Sequence, residues 1–198
     1  MEVERWKWCL GLVVFLLWPF TATATVVVHL GLEEMSQASD VIAHAAVKSV
    51  EVIAPSPGVL LTRITFHARD VVRGEGDFHS GDLTVVVIGG RGADREVRIP
   101  GMPTFRVGEE VLIFLERTDH GHAFTGLSQG VFRIHFEPMT GAPVASRSIR
   151  GLGLVNLDPG GKMRWMHAPS PVVNHPLAHL LSEIRWHLRS LDTEEVSP

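Results

Sequence analysis

The stretch from Val41 to Val47, "VIAHAAV", alternates between two sets of side chains with a period of two residues. Its first, third, fifth and seventh residues are valine or alanine and share one face of an extended chain, while the other residues share the opposite face. This alternation predicts a β-strand. The apolar positions then shift to Val50 and Val52, which predicts a β-bulge near Ser49.

The chain from residue 25 to about residue 167 is predicted to be mainly β. A first strand at residues 25–30 precedes a short helix at residues 32–38, and Phe114 and Phe132 are expected in the core. Further strands are predicted at residues 63–69, 83–88, 96–99, 111–115, 131–136, 152–157 and 162–166. Residues 83–88 are apolar on both faces, which predicts a buried strand. The strand at residues 63–69 changes parity near Asp70, and two long bent strands favour a small closed barrel.

The C-terminal part has a different period. Its apolar residues recur at the spacing of one helical face: Leu177, Leu180, Leu181, Ile184, Leu188 and Leu191. This pattern predicts an amphipathic helix that packs against the barrel or a partner. Asn174 or His175 is suited to cap the helix, and Pro176 to its first turn. The chain is therefore divided into a signal peptide at residues 1–24, a β-barrel domain at residues 25–167, and a C-terminal helix and tail at residues 168–198.

The N-terminal residues have the features of a secretory signal peptide. Arg5 and Lys7 precede an apolar run at residues 8–20, and residues 22–24, "ATA", match a cleavage site. The mature chain would begin at Thr25. About a dozen apolar residues are too few to span a bilayer, so no transmembrane span is expected after signal cleavage. The protein is predicted to be exported to the periplasm, the cell surface or the medium.

The composition excludes several classes of function. The 198-residue chain has a formal net charge of −4 and 45% hydrophobic residues, which fits one packed domain without long disorder. It has no run of lysine or arginine, so nucleic acid is not an expected partner. Cys9 is the only cysteine and lies within the signal peptide. The mature chain therefore has no disulfide, thiol nucleophile or thiolate metal site.

Residues 126–130, "GLSQG", match the G-x-S-x-G pattern of the nucleophile elbow in α/β-hydrolases. That elbow requires a helix after the serine, whereas residues 131–136 alternate as a strand. Ser128 is therefore predicted to be a turn residue, and Gly130 is expected to need a positive φ. Residues 89–92, "GGRG", also lack a following helix, so a flexible loop is expected there rather than a phosphate cradle. We identify no catalytic residue and no cofactor motif.

Histidines supply the candidate metal ligands. His120 and His122, with Asp119 beside them, offer imidazole and carboxylate groups that suit zinc or copper. A polar loop tip is the alternative. A second set lies at four-residue spacing on the C-terminal helix: His175, His179, Glu183 and His187. The alternative there is a solvated helix face. Trp165 and Trp186 are expected to be packing residues.

Five segments, taken in order, resemble a group of uncharacterised exported bacterial proteins: "SDVIAHAAVKSVEV", "TRITFHARDVVRGE", "GDLTVVVIGG", "IPGMPTFRVGEEVLIFLE" and "GLSQGVFRIHF". The resemblance covers residues 38–136 and assigns Gln129 and Gly130 to the scaffold. That group is similar to the OB-like barrel of netrin-type modules and of tissue inhibitors of metalloproteinases. These inhibitors use an N-terminal cysteine, which the mature chain lacks, so their chemistry does not transfer.

The resemblance implies an OB-like barrel of five or six strands, to which the residue pattern adds a short N-terminal helix and a C-terminal amphipathic helix in a mainly β fold. Fold alone does not define function. We expect a non-catalytic binding or scaffold protein of the cell envelope, whose partner is an envelope protein or a polysaccharide. The alternatives are a metal-dependent or serine hydrolase and a protease inhibitor. A purified protein without stoichiometric metal or esterase activity would favour binding.

The signal peptide generates the first testable prediction. Protein recovered from the envelope or the medium is expected to begin at Thr25, because the apolar run is followed by an A-x-A site. N-terminal sequencing measures this directly. An exported chain that still carries Met1 would instead show that the apolar segment is a retained anchor.

Overall fold

The computed structural model describes residues 25–149, 152–158, 160–166 and 172–194. The predicted signal peptide and the last four residues lie outside this part of the chain. The described strands are β1 Thr25–Val28, β2 Val41–Ser56, β3 Val59–Arg73, β4 Asp82–Ile88, β5 Gly90–Arg91, β6 Glu96–Val97, β7 Glu110–Thr118, β8 Gly121–Phe124, β9 Val131–Phe136, β10 Pro143–Ser148, β11 Leu152–Leu157, β12 Met163–Trp165 and β13 Val172–Pro176. The helices are α1 Leu32–Ala38 and α2 Leu177–Glu194, and 3-10 turns lie at Glu75–Asp77 and Leu127–Gly130. The prediction of a mainly β fold with a short early helix and a C-terminal helix is confirmed.

One antiparallel sheet organises the molecule. Its strands are hydrogen-bonded in the order β13-β10-β9-β7-β2-β3-β4, and β8 also pairs with β7. The first half of β7 pairs with β9, whereas its second half pairs with β8. The hydrogen bonds do not close the sheet into a barrel, because within the described residues no ladder joins β4 to β8. A smaller sheet contains β12, β11 and β1, with β1 parallel to β11.

The β2–β3 hairpin is long and irregular. Its register shifts between Val47 and Ser49, which confirms the predicted bulge. On β3, Ala68 pairs with Ala45 and Asp70 pairs with His44, so Arg69 is an extra residue at the predicted change of parity. Extra residues of this kind increase the local twist and bend a hairpin. The two strands therefore curve over the interior of the sheet.

The concave side of the sheet holds the first hydrophobic core. The face of β2 that the sequence pattern predicted packs there: Val41, Ala43, Ala45 and Val47 are all buried. Phe66 of β3 meets the ring of Phe105 edge-on at 5.2 Å, and Phe105 stacks on Phe124 with ring centroids 5.3 Å apart. Strands from both halves of the sheet thus bury one apolar interior.

A second core lies between the convex side of the sheet and the two helices. Phe114 and Phe132 are buried there, with their rings 5.8 Å apart, against Leu180 and Ile184 of α2. The predicted packing of the leucine face is therefore confirmed, and both phenylalanines are buried as expected. They lie under the helices rather than in the concave core. Arg185 also donates to Asp70 Oδ2 at 2.6 Å, which joins α2 to β3.

Several sequence-based expectations are wrong because they depended on which face is covered. One face of β4 packs in the concave core, where Leu83 and Val85 are buried, whereas its other face is uncovered, so Val86 and Ile88 remain 44% and 62% exposed instead of buried. Trp165 and Trp186 are 69% and 59% exposed, so neither is a packing residue. Pro176 ends β13 instead of opening the helix. β13 is a strand of the main sheet although it lies in the segment assigned to the helix and tail.

We predict that Ile184→Ala destabilises the protein by about 2–5 kcal/mol, because it removes a fully buried side chain and leaves a cavity between α2 and the sheet. Trp186→Ala, two residues along the same helix, is the control, and it should change the free energy of unfolding by no more than about 0.5 kcal/mol. Urea unfolding of both variants provides the measurement. Similar losses in the two variants would contradict the described orientation of α2.

Candidate functional site

A cavity of about 280 Å³ opens at one end of the concave core. It lies between the outer part of the β2–β3 hairpin, the end of β4 and the segment from Glu96 to Phe105. Most of its wall is aliphatic or aromatic: Val50, Val52, Ile64, Val87, Ile99 and Phe105. Apolar concave sites with a few polar groups at the mouth are the usual binding sites of proteins. This cavity is therefore the candidate functional site.

Two glycines bring the chain close to the hairpin and form one wall of the cavity. Gly89 and Gly90 have φ angles of 101° and 143°, which turn the chain out of β4 and into β5. A Cβ atom on Gly90 would lie 2.6 Å from Thr62 Oγ1, so only glycine fits there. Thr62 Oγ1 donates to the carbonyl of Gly89 at 2.7 Å. The expected flexible loop at residues 89–92 is thus wrong in part, because Gly90–Arg91 forms a strand.

Charged side chains lie at the mouth of the cavity. Arg91 Nη2 donates to Glu96 Oε2 at 2.8 Å, and Arg98 Nη2 donates to Glu96 Oε1 at 2.9 Å. Both hydrogen bonds lower the pKa of the Glu96 carboxyl group, and the bond from Arg91 has the larger effect. In return, Glu96 raises the pKa of Arg91. Glu96 is therefore ionised at neutral pH, and the three side chains together carry one net positive charge. The cavity thus combines an apolar interior with a weakly cationic rim.

Ser128 lies in the 3-10 turn between β8 and β9. The strand β9 follows it, which confirms that the "GLSQG" segment joins two strands and is not a nucleophile elbow. Its Oγ atom is buried and has no hydrogen-bond partner in the described part of the chain. Gly130 does not need a positive φ, contrary to expectation. Instead, a Cβ atom there would lie 2.4 Å from the carbonyl oxygen of Thr125, and the positive φ angles of this segment belong to Gly126 and Leu127, at 63° and 60°.

Gln129 is fully buried and fixes the same turn to the segment that joins β1 to α1. The backbone N–H of Leu30 donates to its Oε1 at 3.0 Å, and its Nε2 donates to the carbonyl of Val28 at 3.0 Å. A buried amide is tolerated because its groups are hydrogen-bonded. Gln129 is therefore a structural residue, in line with the role that the resemblance implies.

His120 and His122, the first pair of candidate metal ligands, contact different residues. His122 Nε2 lies 3.1 Å from Asp77 Oδ1. His120 is exposed, and its backbone N–H donates to Thr118 Oγ1 at 3.3 Å. His122 thus contacts a carboxylate on a distant turn, which sequence spacing did not indicate. The metal site proposed for His120 and His122 stays a prediction.

The second set lies along α2 as the spacing indicated. His187 Nε2 is 3.9 Å from Glu183 Oε1, and His179 is exposed one turn before Glu183. Across the described residues, no group of three or more histidine, cysteine, aspartate or glutamate side chains is placed to hold a metal ion. The His179, Glu183 and His187 site also stays a prediction.

Asp77 is the centre of an ion-pair cluster that contains His122 and Arg117. Arg117 donates to it from Nε at 3.0 Å and from Nη2 at 2.5 Å, and the Asp77 side chain is only 12% exposed. The hydrogen bonds from Arg117, followed by that of His122, hold the pKa of Asp77 below its ordinary value of 3.8. A bidentate arginine–carboxylate pair of this geometry joins the 3-10 turn Glu75–Asp77 to β7.

The residues of the cavity were not found by sequence reasoning, since valine, glycine and threonine have no chemical signature. The one available signal was the shift of the apolar positions to Val50 and Val52, which continues apolar character beyond the bulge. No family model, curated protein or solved structure shows significant similarity to this chain. Within the described residues, neither helix has the length and hydropathy needed to cross a membrane.

We predict a pH-dependent effect of Asp77→Asn. Because folding lowers the pKa of Asp77, its carboxylate stabilises the folded state above pH 3.8, and this contribution is lost as the pH falls through the folded-state pKa. The variant should therefore be less stable than wild type at neutral pH, and the difference should shrink below about pH 4. Urea unfolding across this range measures it, with the exposed Asp119→Asn as the control. A difference that stays constant at acidic pH would contradict the assignment.

Proposed function

We propose that the protein is an exported binding protein of the cell envelope, without catalytic activity, that holds an apolar segment of a partner protein in the cavity at the end of the concave core. Export is supported by the N-terminal sequence, in which a cationic region, an apolar run and a cleavage site follow one another. The periplasm, the cell surface and the medium are all compatible destinations.

We also propose that the strands around the concave core form a five- or six-stranded OB-like barrel. β2 joins β3 and β4 to β7 and β8 in the main sheet, and residues of all five strands bury side chains in the concave core. Cα atoms of β4 and β8 approach within 8 Å, although no ladder joins them. The aromatic contacts among Phe66, Phe105 and Phe124 across this interior support a closed arrangement.

The observation that carries the function is the pairing of an apolar cavity with a cationic rim. The cavity wall contains Val50, Val52, Ile64 and Val87, and burial of apolar ligand surface against it is favourable by roughly 25 cal/mol per Å². A polysaccharide would leave its hydroxyl groups unpaired against such a wall. An apolar side chain with an acidic neighbour suits both the wall and the Arg91–Arg98 rim. A partner protein is therefore preferred over a polysaccharide at this site.

Ser128 supports a binding role over serine hydrolysis. A serine nucleophile is activated by an adjacent base within hydrogen-bond reach. In the described part of the chain, the Ser128 hydroxyl has no hydrogen-bond partner, so no histidine acts as its base in this geometry. The serine therefore lacks the activation that acyl transfer requires.

An apolar anionic dye tests the cavity directly. We predict that 1-anilinonaphthalene-8-sulfonate binds the purified protein with increased fluorescence, because its rings fit the apolar wall and its sulfonate meets the cationic rim. Val52→Asp should abolish this fluorescence, since it places a charge on the cavity wall. Val59→Asp is the matched control, because Val52 and Val59 are 40% and 39% exposed on the same hairpin and only Val52 lines the cavity.

The same pair of variants tests the partner. Envelope proteins retained by the immobilised protein should be released by the dye and lost with Val52→Asp, but kept with Val59→Asp. Retention that is equal in the two variants would place the partner elsewhere on the surface. Hydrolysis of a simple ester by wild type but not by Ser128→Ala would overturn the proposal of a non-catalytic role.

A further inference from the structure

A second cavity, of about 200 Å³, lies behind Ser128 and differs in chemistry from the apolar cavity. The two cavities have only Met102, Pro103 and Thr104 in common, so this short segment separates them. The residues around the second cavity include Ser128, Arg133, Ser148 and Thr104, together with the apolar Met102, Pro103 and Val131. The first four carry three hydroxyl groups and a guanidinium group.

The hydroxyl group of Ser128 is the unusual feature of this wall. Its oxygen is buried and unpartnered among the described residues, and an unsatisfied buried hydroxyl destabilises the folded state. The turn that holds it is fixed on both sides, because the Ser128 N–H donates to the carbonyl of Gly101 at 3.0 Å and Gln129 is clamped to Val28. Ser128 borders the cavity while its Oγ atom has almost no accessible surface, so the hydroxyl would meet a ligand there after rotation about the Cα–Cβ bond.

The charge of Arg133 is already compensated. Its Nη1 donates to Glu109 Oε2 and its Nη2 donates to the carbonyl of Thr104, both at 2.5 Å, and its guanidinium lies 5.8 Å from the centre of the Phe105 ring. These contacts use two of its five N–H groups and leave the others available. A paired arginine is a weak attractor for an anion but a good donor to a neutral oxygen. The cavity therefore suits an uncharged ligand rich in hydroxyl groups, which both donate and accept hydrogen bonds.

The size of the cavity limits the ligand to about one ring. An apolar protein cavity of roughly 150 Å³ accommodates benzene, so a cavity of about 200 Å³ accommodates a six-membered ring with polar substituents. Thr104 is exposed, so the cavity opens to solvent beside it. A ring bound there can continue into a longer molecule outside.

The geometry points to this cavity as a binding site for one hexose unit of a glycan, with Ser128, Ser148 and Arg133 as its hydrogen-bonding groups. This site is separate from the apolar cavity and goes beyond the function proposed for it. The two sites together would let the protein hold a protein partner and a saccharide at the same time.

The test measures ligand binding by NMR chemical shifts and by melting temperature, using methyl hexosides and a short hexose oligosaccharide at millimolar concentrations. We expect both to shift the amide signals of Ser128 and Ser148, with the oligosaccharide binding at least as tightly. Ser128→Ala and Ser148→Ala should each weaken binding roughly fivefold to tenfold, the loss expected for one hydrogen bond. Ser146→Ala is the control, because Ser146 lies on the same strand and outside the cavity wall.

Four outcomes would overturn the inference. Binding of the methyl hexosides but not of the oligosaccharide would exclude a glycan. Equal binding of cyclohexanol would show that the cavity selects a ring without reading its hydroxyl groups. Binding of acetate or phosphate in place of the sugars would define an anion site. No response to any of these ligands would show that the cavity is not a saccharide site. Val52→Asp should leave saccharide binding intact and Ser128→Ala should leave dye binding intact, so failure of one site is distinguishable from failure of the other.

Discussion

Burial of β2 and β7 on both faces is the constraint on which the rest of the structure depends. Val41 and Ala43 face the concave core, while Ile42 between them faces the helices, and all three are inaccessible to solvent. On β7, Ile113 and Phe114 divide in the same way. A strand pair that is apolar on both faces needs a layer on each side. The bent β3 and β4 provide one layer, and α1 and α2 provide the other.

Gln129 fixes the connection between β1 and α1 to this arrangement. Its amide accepts from the N–H of Leu30, just before α1, and donates to the carbonyl of Val28, the last residue of β1, which holds both against the turn before β9. Replacement of such an amide by an apolar side chain would leave backbone groups buried without partners, which costs more than the hydrogen bonds themselves contribute. The "GLSQG" segment is therefore explained by packing and hydrogen bonding, with Gly130 accommodating the carbonyl of Thr125.

Features that depend on local periodicity could be predicted from the sequence. The helices, the alternating face of β2 and the bulge at Ser49 all follow from side chains that lie within a few residues of one another. Features that depend on which other element covers a strand face could not be predicted from the sequence. Ile88 and Trp165 are of residue types that are usually buried, but one face of β4 and the whole of β12 are uncovered, so both side chains remain exposed. The two cavities could not be predicted either, because each is formed by segments that are distant in sequence.

The segment from Met102 to Thr104 determines how independent the two cavities are. It belongs to no helix or strand, yet its backbone is held from both ends. The Met102 N–H donates to the carbonyl of Ile99 at 3.1 Å, and the Thr104 carbonyl accepts from Arg133. Glu109, at the start of the buried β7 region, fixes Arg133 in turn. The apolar and the polar cavity thus share a wall that is held by a side chain of β9, the neighbour of β7 in the main sheet, so a ligand that displaces this wall from one cavity would change the other.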